Sequence, residues 1–339
     1  MTTSSSAPLV DTFGRQVTYL RMSVTDRCDL RCTYCMAEAM TFLPKKELLT
    51  LEELEFVARA FIQRGVRKIR ITGGEPLVRK GIMSLFNQLG QMLGNGLEEL
   101  TLTTNATQLS QHADDLAKAH VRRVNVSLDT LNSARFSEIA RRDQLGQVLD
   151  GIHAAKAAGL KVKINTVALK HQNSEEIPDI ISWAHKQGHD VSLIEVMPLG
   201  ETGEDRFDQY IPLDLVQQQL EKLWTLEPEE KNDPLAGPSR YFRIRETGGR
   251  VGFITPLTNN FCAGCNRVRI TCTGRIYMCL GQNNHIDLRT PLRESSDPAG
   301  ALDEALDAAL FAKPERHDFS IRTPGQSPAV ARHMSVTGG

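Results

Sequence analysis

The chain has 339 residues, of which 24% are charged, and its formal net charge is −1 at pH 7. This length exceeds the roughly 250–300 residues at which single hydrophobic cores stop growing, so we expect one large α/β domain with a smaller appendage. The near-neutral balance gives no sign of a nucleic-acid or membrane partner, because neither a basic excess nor an apolar run of spanning length occurs.

The N-terminal stretch MTTSSSAPLV has neither the basic segment nor the apolar run of a signal peptide. We therefore expect a cytoplasmic protein with a disordered N-terminus over residues 1–13. The chain contains 7 cysteines, several of them closely spaced. In a reducing cytosol such spacing favours metal binding or redox chemistry over structural disulfides.

Six short β-rich runs alternate with helical segments between residues 14 and 230. The runs lie at 19–24, 67–72, 98–104, 122–128, 161–167 and 190–196. Thr50 and Glu53 form a capping-box pattern that predicts a helix start. The alternation predicts a parallel sheet with right-handed crossovers, as an incomplete, about six-stranded TIM-type barrel or, second, a doubly wound open sheet. In either fold we expect ligands at the carboxyl ends of the strands.

The pattern changes after Pro198. The loop 228–240 is rich in proline and charge and predicts a domain boundary, so we expect a core domain over 14–230 and a small α+β domain over 231–339. Short β-like runs at 240–245, 250–255, 266–272 and 275–279 fall in the second domain. By composition alone, residues 312–339 are a flexible tail.

Three cysteines, Cys28, Cys32 and Cys35, lie within the eight residues CDLRCTYC, directly after the first predicted strand. Structural zinc takes four closed ligands, and the nearest histidine, His112, is far along the chain. A four-iron cluster tolerates three thiolates, because one iron is then left for a substrate or cofactor. The spacing therefore favours an iron–sulfur cluster over zinc.

The phrase LRMSVTDRCDLRCTYCM at 20–36 resembles the radical S-adenosylmethionine (SAM) superfamily and, within it, the MoaA family of GTP 3′,8-cyclases in molybdenum cofactor biosynthesis. The resemblance extends from about Thr18 to Gly339. It implies that SAM binds the open iron and that one electron cleaves it to methionine and a 5′-deoxyadenosyl radical. It further implies that this radical removes a hydrogen from C3′ of GTP, that the C3′ radical then attacks C8 of guanine, and that reduction of the cyclised radical yields (8S)-3′,8-cyclo-7,8-dihydroguanosine 5′-triphosphate.

The same resemblance assigns a SAM-binding role to residues at successive strand ends. The glycine loop ITGGEPLVR at 71–79 matches the family's motif, and glycines let the backbone approach a ligand closely. The residues implied as SAM contacts are Tyr34, Gly74, Ser127 and Met197.

A second cysteine set, Cys262, Cys265 and Cys279, resembles the family's C-terminal site. It implies a second [4Fe-4S] cluster, again with three cysteines, whose open iron binds the guanine of GTP. Cys272 lies between them and would complete a four-cysteine zinc or cluster site. The family pattern uses the outer three positions only, so we predict that Cys272 is a small buried hydrophobe and not a ligand.

A neutral chain that binds a triphosphate must place its cations locally, best as arginine forks. Lys68 and Arg70, like Arg267 and Arg269, alternate along a strand, so the side chains of each pair share a face. Both pairs adjoin a cofactor motif. The resemblance implies GTP contacts at Arg21, Lys68, Arg70, Thr103, Lys163, Arg267, Val268 and Arg269.

The sequence departs from the family at Ser192, where relatives carry an arginine that meets the nucleotide. Part of the triphosphate grip is therefore missing or supplied by another arginine. The final Gly338 and Gly339 match the family's double-glycine tail, which reaches into the active site.

The resemblance implies two [4Fe-4S] clusters and SAM as cofactors, GTP as substrate and an external one-electron donor. It places cyclic pyranopterin monophosphate synthase as the next enzyme in the pathway. Oligomeric state is left open, with a homodimer as one candidate assembly. Two other functions compete: a radical SAM peptide maturase with an auxiliary cluster, and a non-catalytic iron–sulfur electron carrier that binds no SAM.

Overall fold

The structure is a computed structural model, and it describes residues 7–230, 233 and 235–338. The six predicted β-rich runs all form strands. Their bounds are Tyr19–Ser23 (β1), Lys68–Thr72 (β2), Glu99–Thr104 (β3), Arg123–Ser127 (β4), Lys161–Ala168 (β5) and Asp190–Glu195 (β6). Six strands follow: Leu226–Pro228 (β7), Arg240–Ile244 (β8), Arg250–Ile254 (β9), Arg267–Ile270 (β10), Arg275–Tyr277 (β11) and His285–Asp287 (β12).

Helices connect the strands and cover the outer face of the sheet. They are Leu51–Gln63 (α1), Ile82–Gly90 (α2), Leu109–Lys118 (α3), Ser133–Ala140 (α4), Leu145–Ala157 (α5), Ile177–Lys186 (α6), Arg206–Gln209 (α7), Leu213–Glu221 (α8), Arg289–Glu294 (α9), Pro298–Phe311 (α10) and Met334–Thr337 (α11). The predicted capping box opens α1, with Thr50 and Glu53 bonded reciprocally. In the part of the chain that the structure describes, no helix is long and apolar enough to cross a membrane.

All described strands belong to one sheet, in the order β12-β11-β10-β1-β2-β3-β4-β5-β6-β9-β8-β7. The sheet is not closed, as expected for a partial barrel. The six strands β1 to β6 form its centre, as expected, and β10 pairs in parallel with β1 while β9 pairs in parallel with β6. The C-terminal part of the chain therefore extends the sheet at both edges. Sequence periodicity does not reveal this, since it does not specify which strands pair.

Side chains alternate across the sheet, as strand geometry requires. Leu20, Ile69 and Val268 are among the apolar side chains of the outer face, which pack in the main hydrophobic core. The inner face of the same strands carries Arg21 and Arg70, which is unusual for a barrel interior, since barrel interiors are usually packed with branched apolar residues. The polar lining predicts a binding chamber at the centre of the sheet.

The segment 255–266 joins β9 at one side of the six central strands to β10 at the other, so it crosses the opening of the barrel. It leaves the carboxyl end of β9 and enters the amino end of β10. The expectation of ligands at the carboxyl ends of the strands stays a prediction. Cys28, Cys32 and Cys35 do follow the carboxyl end of β1, but Cys265 directly precedes the amino end of β10.

The described residues near both chain ends make tertiary contacts that their composition does not predict. Residues 7–13 lie in the described part of the expected disordered N-terminus, yet Leu9 is buried and its amide bonds to the Arg64 carbonyl. The tail, expected to be flexible, pairs Val330 with Leu199 and ends in the short helix α11. The reason is tertiary packing, which local composition does not report. The domain boundary at 230/231 stays a prediction.

Candidate active site

One cavity of about 870 Å³ lies inside the barrel, and both cysteine triplets contribute to its wall. Every predicted cluster, SAM and GTP residue lines it, apart from the two tail glycines. Gly338 is nearby and bonded to Arg269, whereas Gly339 lies outside the described residues. Side chains more than 200 residues apart in sequence therefore share one chamber.

The first triplet is held against the glycine loop by backbone contacts. The amide of Gly74 donates to the Thr25 carbonyl and that of Glu75 to the Arg27 carbonyl, each at 2.8 Å. A Cβ on Gly74 would lie 2.3 Å from the Arg27 carbonyl oxygen, and one on Gly73 would lie 2.5 Å from that of Thr25. The two glycines thus let the loop that leads into Cys28 pack against the end of β2.

A buried carboxylate stands beside the first triplet. Glu75 accepts hydrogen bonds from the amides of Leu77 (3.0 Å) and Asn105 (2.7 Å) and from the Thr104 hydroxyl (2.8 Å). Burial nevertheless raises the pKa of Glu75 to about 7. The Asn105 side-chain amide in turn donates to Asp29, beside Cys28. This network ties the cysteine loop to the ends of β2 and β3.

Tyr34 is fixed by a second buried carboxylate, Asp129. The phenol donates to Asp129 at 2.7 Å, and the Val167 amide donates to the other carboxylate oxygen at 2.8 Å. Burial raises the pKa of Asp129 to about 6. The pair anchors the cysteine loop to β4 and β5, next to the predicted SAM contact Ser127.

The thiols themselves fit cluster binding. Burial, followed by neighbouring negative groups, raises the pKa of Cys28 and of Cys32, and burial raises that of Cys35 to about 11. Buried thiols of this kind ionise when a metal displaces the proton. Within the described ranges, no group of three or more His, Cys, Asp or Glu side chains is arranged to hold a metal ion. An iron–sulfur cluster does not require such a group, because each of its thiolates binds a different iron atom.

The second triplet is surrounded by cations. Burial opposes ionisation of Cys265, but Arg267, Lys313 and Arg15 outweigh it and lower the pKa of that thiol. Arg15 also donates to the Cys262 carbonyl at 2.9 Å. Cys272 is fully buried and lies outside the cavity wall, which agrees with its predicted role as a small hydrophobe.

The predicted GTP-binding cations line the amino-terminal half of the barrel. Arg21, Arg70, Lys163, Arg267 and Arg269 are all buried. Among the described residues none of these five is paired with an Asp or Glu; Arg21 bonds to the Tyr19 phenol and Lys163 to the Tyr241 phenol. Burial, together with neighbouring arginines, lowers the pKa of Arg70 and of Arg269. Such a site is electrostatically incomplete without an anion.

Lys68 differs, since it is paired with Glu99 at 2.5 Å. Val268 also differs: its side chain packs in the outer core, so only its backbone can face the cavity. The Thr103 hydroxyl is buried in the cavity wall without a partner among the described residues. It is therefore free to meet a ligand.

Tyr241 stands next to Ser192, the position where the sequence departs from the family. Its phenol lies 3.5 Å from the Ser192 hydroxyl and accepts from Lys163 at 3.2 Å. Burial would raise the pKa of the phenol, but Lys163, helped by the Ser192 hydroxyl and Arg123, outweighs burial and lowers the pKa to about 8. Arg123 and Arg250 also line the cavity and are among the arginines of its wall that were not predicted.

The tail connects the two triplets. Arg332 donates to the Leu280 carbonyl, directly after Cys279, and its guanidinium lies 4.0 Å from the Tyr277 ring centroid. Further on, the Ser335 backbone amide lies close enough to the Cys35 thiol to favour its thiolate form. Gly338 accepts from Arg269 through its carbonyl oxygen. The tail therefore contacts both cysteine sets and a substrate-site cation.

Sequence reasoning missed several residues of this site. Arg15, Arg123, Tyr241 and Lys313 line the cavity, and Tyr19 lies behind its cations. Tyr19 could have been predicted, because it alternates with Arg21 along β1 and therefore lies on the same face of the strand. Arg15 and Lys313 carry no such signal, because their positions depend on long-range packing.

Comparison with known proteins gives consistent matches. The sequence model of the radical SAM superfamily matches residues 22–206, and that of Molybdenum Cofactor Synthesis C matches residues 189–319. The GTP 3′,8-cyclase of Erythrobacter litoralis is 61% identical over 335 residues, which cover 99% of this chain and 100% of that one. That of Rhizobium etli (strain CIAT 652) is 59% identical, covering 98% and 94%.

Among solved structures, Streptococcus suis SuiB bound to S-adenosylmethionine aligns with a TM-score of 0.62 and 18% identity, covering 88% of this chain and 69% of that one. SuiB bound to its precursor peptide SuiA gives 0.63 and 18%, covering 87% and 67%. At this identity the likeness concerns the fold alone. The high-identity relatives, together with both family models, decide the family: the chain belongs to the radical SAM superfamily and, within it, to the GTP 3′,8-cyclases.

Proposed function

We propose that this chain is a lyase that converts GTP to (8S)-3′,8-cyclo-7,8-dihydroguanosine 5′-triphosphate, the first step of molybdenum cofactor biosynthesis. The observation that carries the proposal is the single cavity that joins the two cysteine triplets. Buried cations without carboxylate partners lie between them, where a triphosphate would supply the missing negative charge.

The cysteines fit two clusters. Cys28, Cys32 and Cys35 would hold the [4Fe-4S] cluster that binds SAM, and Cys262, Cys265 and Cys279 would hold the one that meets the substrate. When bound, the first cluster and SAM supply the 5′-deoxyadenosyl radical that removes a hydrogen from GTP. The contacts of Tyr34 with Asp129 and of Gly74 with Thr25 keep the first cysteine loop in place for this.

The protein's own task is to hold and orient the nucleotide. Arg21, Arg70 and Arg269 would bind the phosphates in bidentate geometry. The guanine would then extend toward the second triplet, and the ribose would face the first. Fixing both ends of the nucleotide brings its C3′ and C8 atoms together. Positioning of this kind lowers the activation barrier of the reaction.

A peptide maturase is the alternative that shares the fold. Its substrate has no triphosphate, so it would not need Arg267 and Arg269 buried without carboxylate partners in the described part of the chain. An electron carrier would not need a cavity of about 870 Å³ between its clusters. The GTP cyclase is therefore the function that the geometry supports best.

The decisive experiment is anaerobic turnover. Reconstituted protein is incubated with GTP, SAM and dithionite, the mixture is separated by chromatography, and the nucleotide product and 5′-deoxyadenosine are identified by retention time and mass. We expect both compounds, with the nucleotide at the mass of GTP but at a different retention time, because it is an isomer of GTP. The variant Arg269→Ala should still produce some 5′-deoxyadenosine but little cyclised nucleotide. Formation of 5′-deoxyadenosine with no change in GTP would contradict the assignment of substrate.

The partners follow from the reaction. We propose an external one-electron donor, because SAM cleavage consumes an electron that the chain does not itself generate. Cyclic pyranopterin monophosphate synthase would consume the cyclised nucleotide. A cytoplasmic location and a homodimer are also our proposals; sedimentation of the reconstituted protein tests the latter.

A further inference from the structure

Tyr19 is fully buried behind the cavity wall, and no step described so far uses it. Four cations surround its ring. The guanidinium carbons of Arg21 and Arg70 each lie 5.5 Å from the ring centroid, the ammonium of Lys68 lies at 5.1 Å and the guanidinium carbon of Arg267 at 6.0 Å. These four residues belong to the neighbouring strands β1, β2 and β10. All four line the cavity, whereas Tyr19 itself does not.

The phenol oxygen of Tyr19 is the hydrogen-bond acceptor next to these four cations. Arg21 donates to it through Nε at 3.3 Å. The carboxylate of the same wall, Glu99, is already shared by Lys68 and Arg123. Arg269 adds a further positive charge nearby. A tyrosine enclosed by cations in this way is well placed to carry negative charge.

Electrostatics favours that state. Burial by itself would raise the pKa of the Tyr19 phenol, but Arg21, Arg70, Lys68 and Arg267 outweigh it and lower the pKa to about 7. The phenolate would balance part of the positive charge while no substrate is bound. A triphosphate that approaches the same cations from the cavity brings several negative charges, and these restore the pKa of the phenol toward its ordinary range.

We propose that Tyr19 is a positioning residue for the triphosphate cations and that its phenolate takes up one proton when GTP binds. The inference rests on the proposed GTP site. The step is an acid–base exchange: solvent supplies the proton, the phenolate oxygen receives it, and the triphosphate replaces the phenolate as counter-ion. No covalent bond in the nucleotide changes.

Calorimetric titration of the reconstituted, anaerobic protein with GTP tests this. Repeating the titration in buffers of different ionisation enthalpy gives the number of protons taken up per GTP. Lys68, Lys163 and Tyr241 have pKa values lowered by the site and also take up protons. The informative quantity is therefore the difference between wild type and Tyr19→Phe, which should be about one proton at pH about 8.

The same linkage sets the pH dependence of affinity. Between pH about 7.5 and 8.5 the Kd of wild type for GTP should rise up to about 10-fold more than that of Tyr19→Phe, because the lost proton uptake flattens the curve. The KM for SAM should be the same in both proteins. A merely structural role would weaken binding at every pH and leave the proton count unchanged.

Tyr210→Phe is the matched control, since burial raises the pKa of that phenol and it lies outside the cavity wall. It should keep the wild-type count. Iron content at the wild-type level shows that a variant has folded, and Tyr19→Leu serves as a second variant if the phenylalanine protein loses iron. A Tyr19 variant with the wild-type count overturns the inference. A wild type that binds no GTP instead refutes the proposed function.

Discussion

Gly74 is predicted as a SAM contact, but it also makes close contacts within the protein itself. Both Gly73 and Gly74 lie against carbonyl oxygens of residues 25–27, which lead into Cys28. Gly73 also has a positive φ of 152°, a backbone conformation that favours glycine. The glycine loop therefore positions the cysteine loop as well as lining the cavity.

We expect Gly74→Ala to lose about half of the cluster iron, because the added Cβ displaces the loop that carries the first triplet. Iron and sulfide analysis after anaerobic reconstitution measures this. Gly146→Ala is the matched control: this helical glycine has open space around it, and alanine there should be neutral or stabilising by up to about 1 kcal/mol. Full iron in Gly74→Ala would refute the positioning role.

Cys272→Ser should keep about eight irons per chain, as two four-iron clusters require. Cys272 is buried outside the cavity wall, and burial raises the pKa of its thiol to about 12. Cys265→Ser is the comparison and should lose about half of the iron. If Cys272→Ser loses as much as Cys265→Ser, the second site has four cysteine ligands.

Glu75 makes the stability of the metal-free protein depend on pH. Burial raises the folded pKa of Glu75 to about 7 from its ordinary value of 4.5, so the folded state holds a proton that the unfolded state releases. This stabilisation is complete below pH about 4.5 and is lost as the pH rises through 7. Urea unfolding of the iron-free chain should show a loss on the order of 2–3 kcal/mol over that window. Glu75→Gln should flatten the curve, and an equal slope in both proteins would contradict the assignment.

At the scale of elements, the sequence predicts each central strand within about one residue at its ends. Periodicity is sufficient for β1 to β6 because each strand has an apolar outer face and a helix follows it. It fails for β7 and β12, which have three residues each and no periodic pattern. It also fails for the pairing of β9 and β10, because strand pairing depends on contacts far apart in sequence.

The candidate site shows the same difference between features that local sequence predicts and features that depend on long-range contacts. The cysteine triplets and the arginines of β10 are recognisable because their spacing is local. Lys313 is only 3% exposed and lies near the second triplet because it packs on Asp11, a contact that spans almost the whole chain. No local pattern encodes that approach, so reasoning from sequence could not place it.

The tail is the element with the clearest functional test. Deleting Gly338 and Gly339 should leave both clusters intact and abolish cyclisation, because Gly338 accepts from Arg269 inside the site while the preceding contacts of Arg332 and Ser335 are retained. Iron analysis and chromatographic separation of the cyclised nucleotide from GTP are the two measurements. Unchanged turnover would mean that the end of the tail has no part in the reaction.

At the scale of the whole molecule, the N-terminal segment contacts the C-terminal part and holds it in place. Arg15 donates to the carbonyls of Cys262, Pro314 and Glu315 and is paired with Asp11 at 2.6 Å. These contacts connect the first 20 residues to the second triplet and to the start of the tail. The core and C-terminal parts are therefore joined by more than the single covalent connection near residue 230.

Arg15→Ala should lower the free energy of unfolding by on the order of 3 kcal/mol, since several charge-assisted hydrogen bonds and a buried ion pair are lost together. Urea unfolding gives the value. Arg59→Ala, which breaks an exposed pair with Glu55 on α1, is the control and should change stability by less than about 0.5 kcal/mol. If both substitutions changed the free energy of unfolding equally, the contacts of the N-terminal segment with the C-terminal part would not contribute to stability.

The pairing of β1 with β10 has a consequence for synthesis on the ribosome. β1 is made first of all strands, yet one of its edges has no partner until residues 267–270 have emerged. An unpaired edge of this kind is prone to pair with other chains. Because the tail follows every strand in the chain and contacts both cysteine sets, a chain terminated before the tail would present an incomplete chamber.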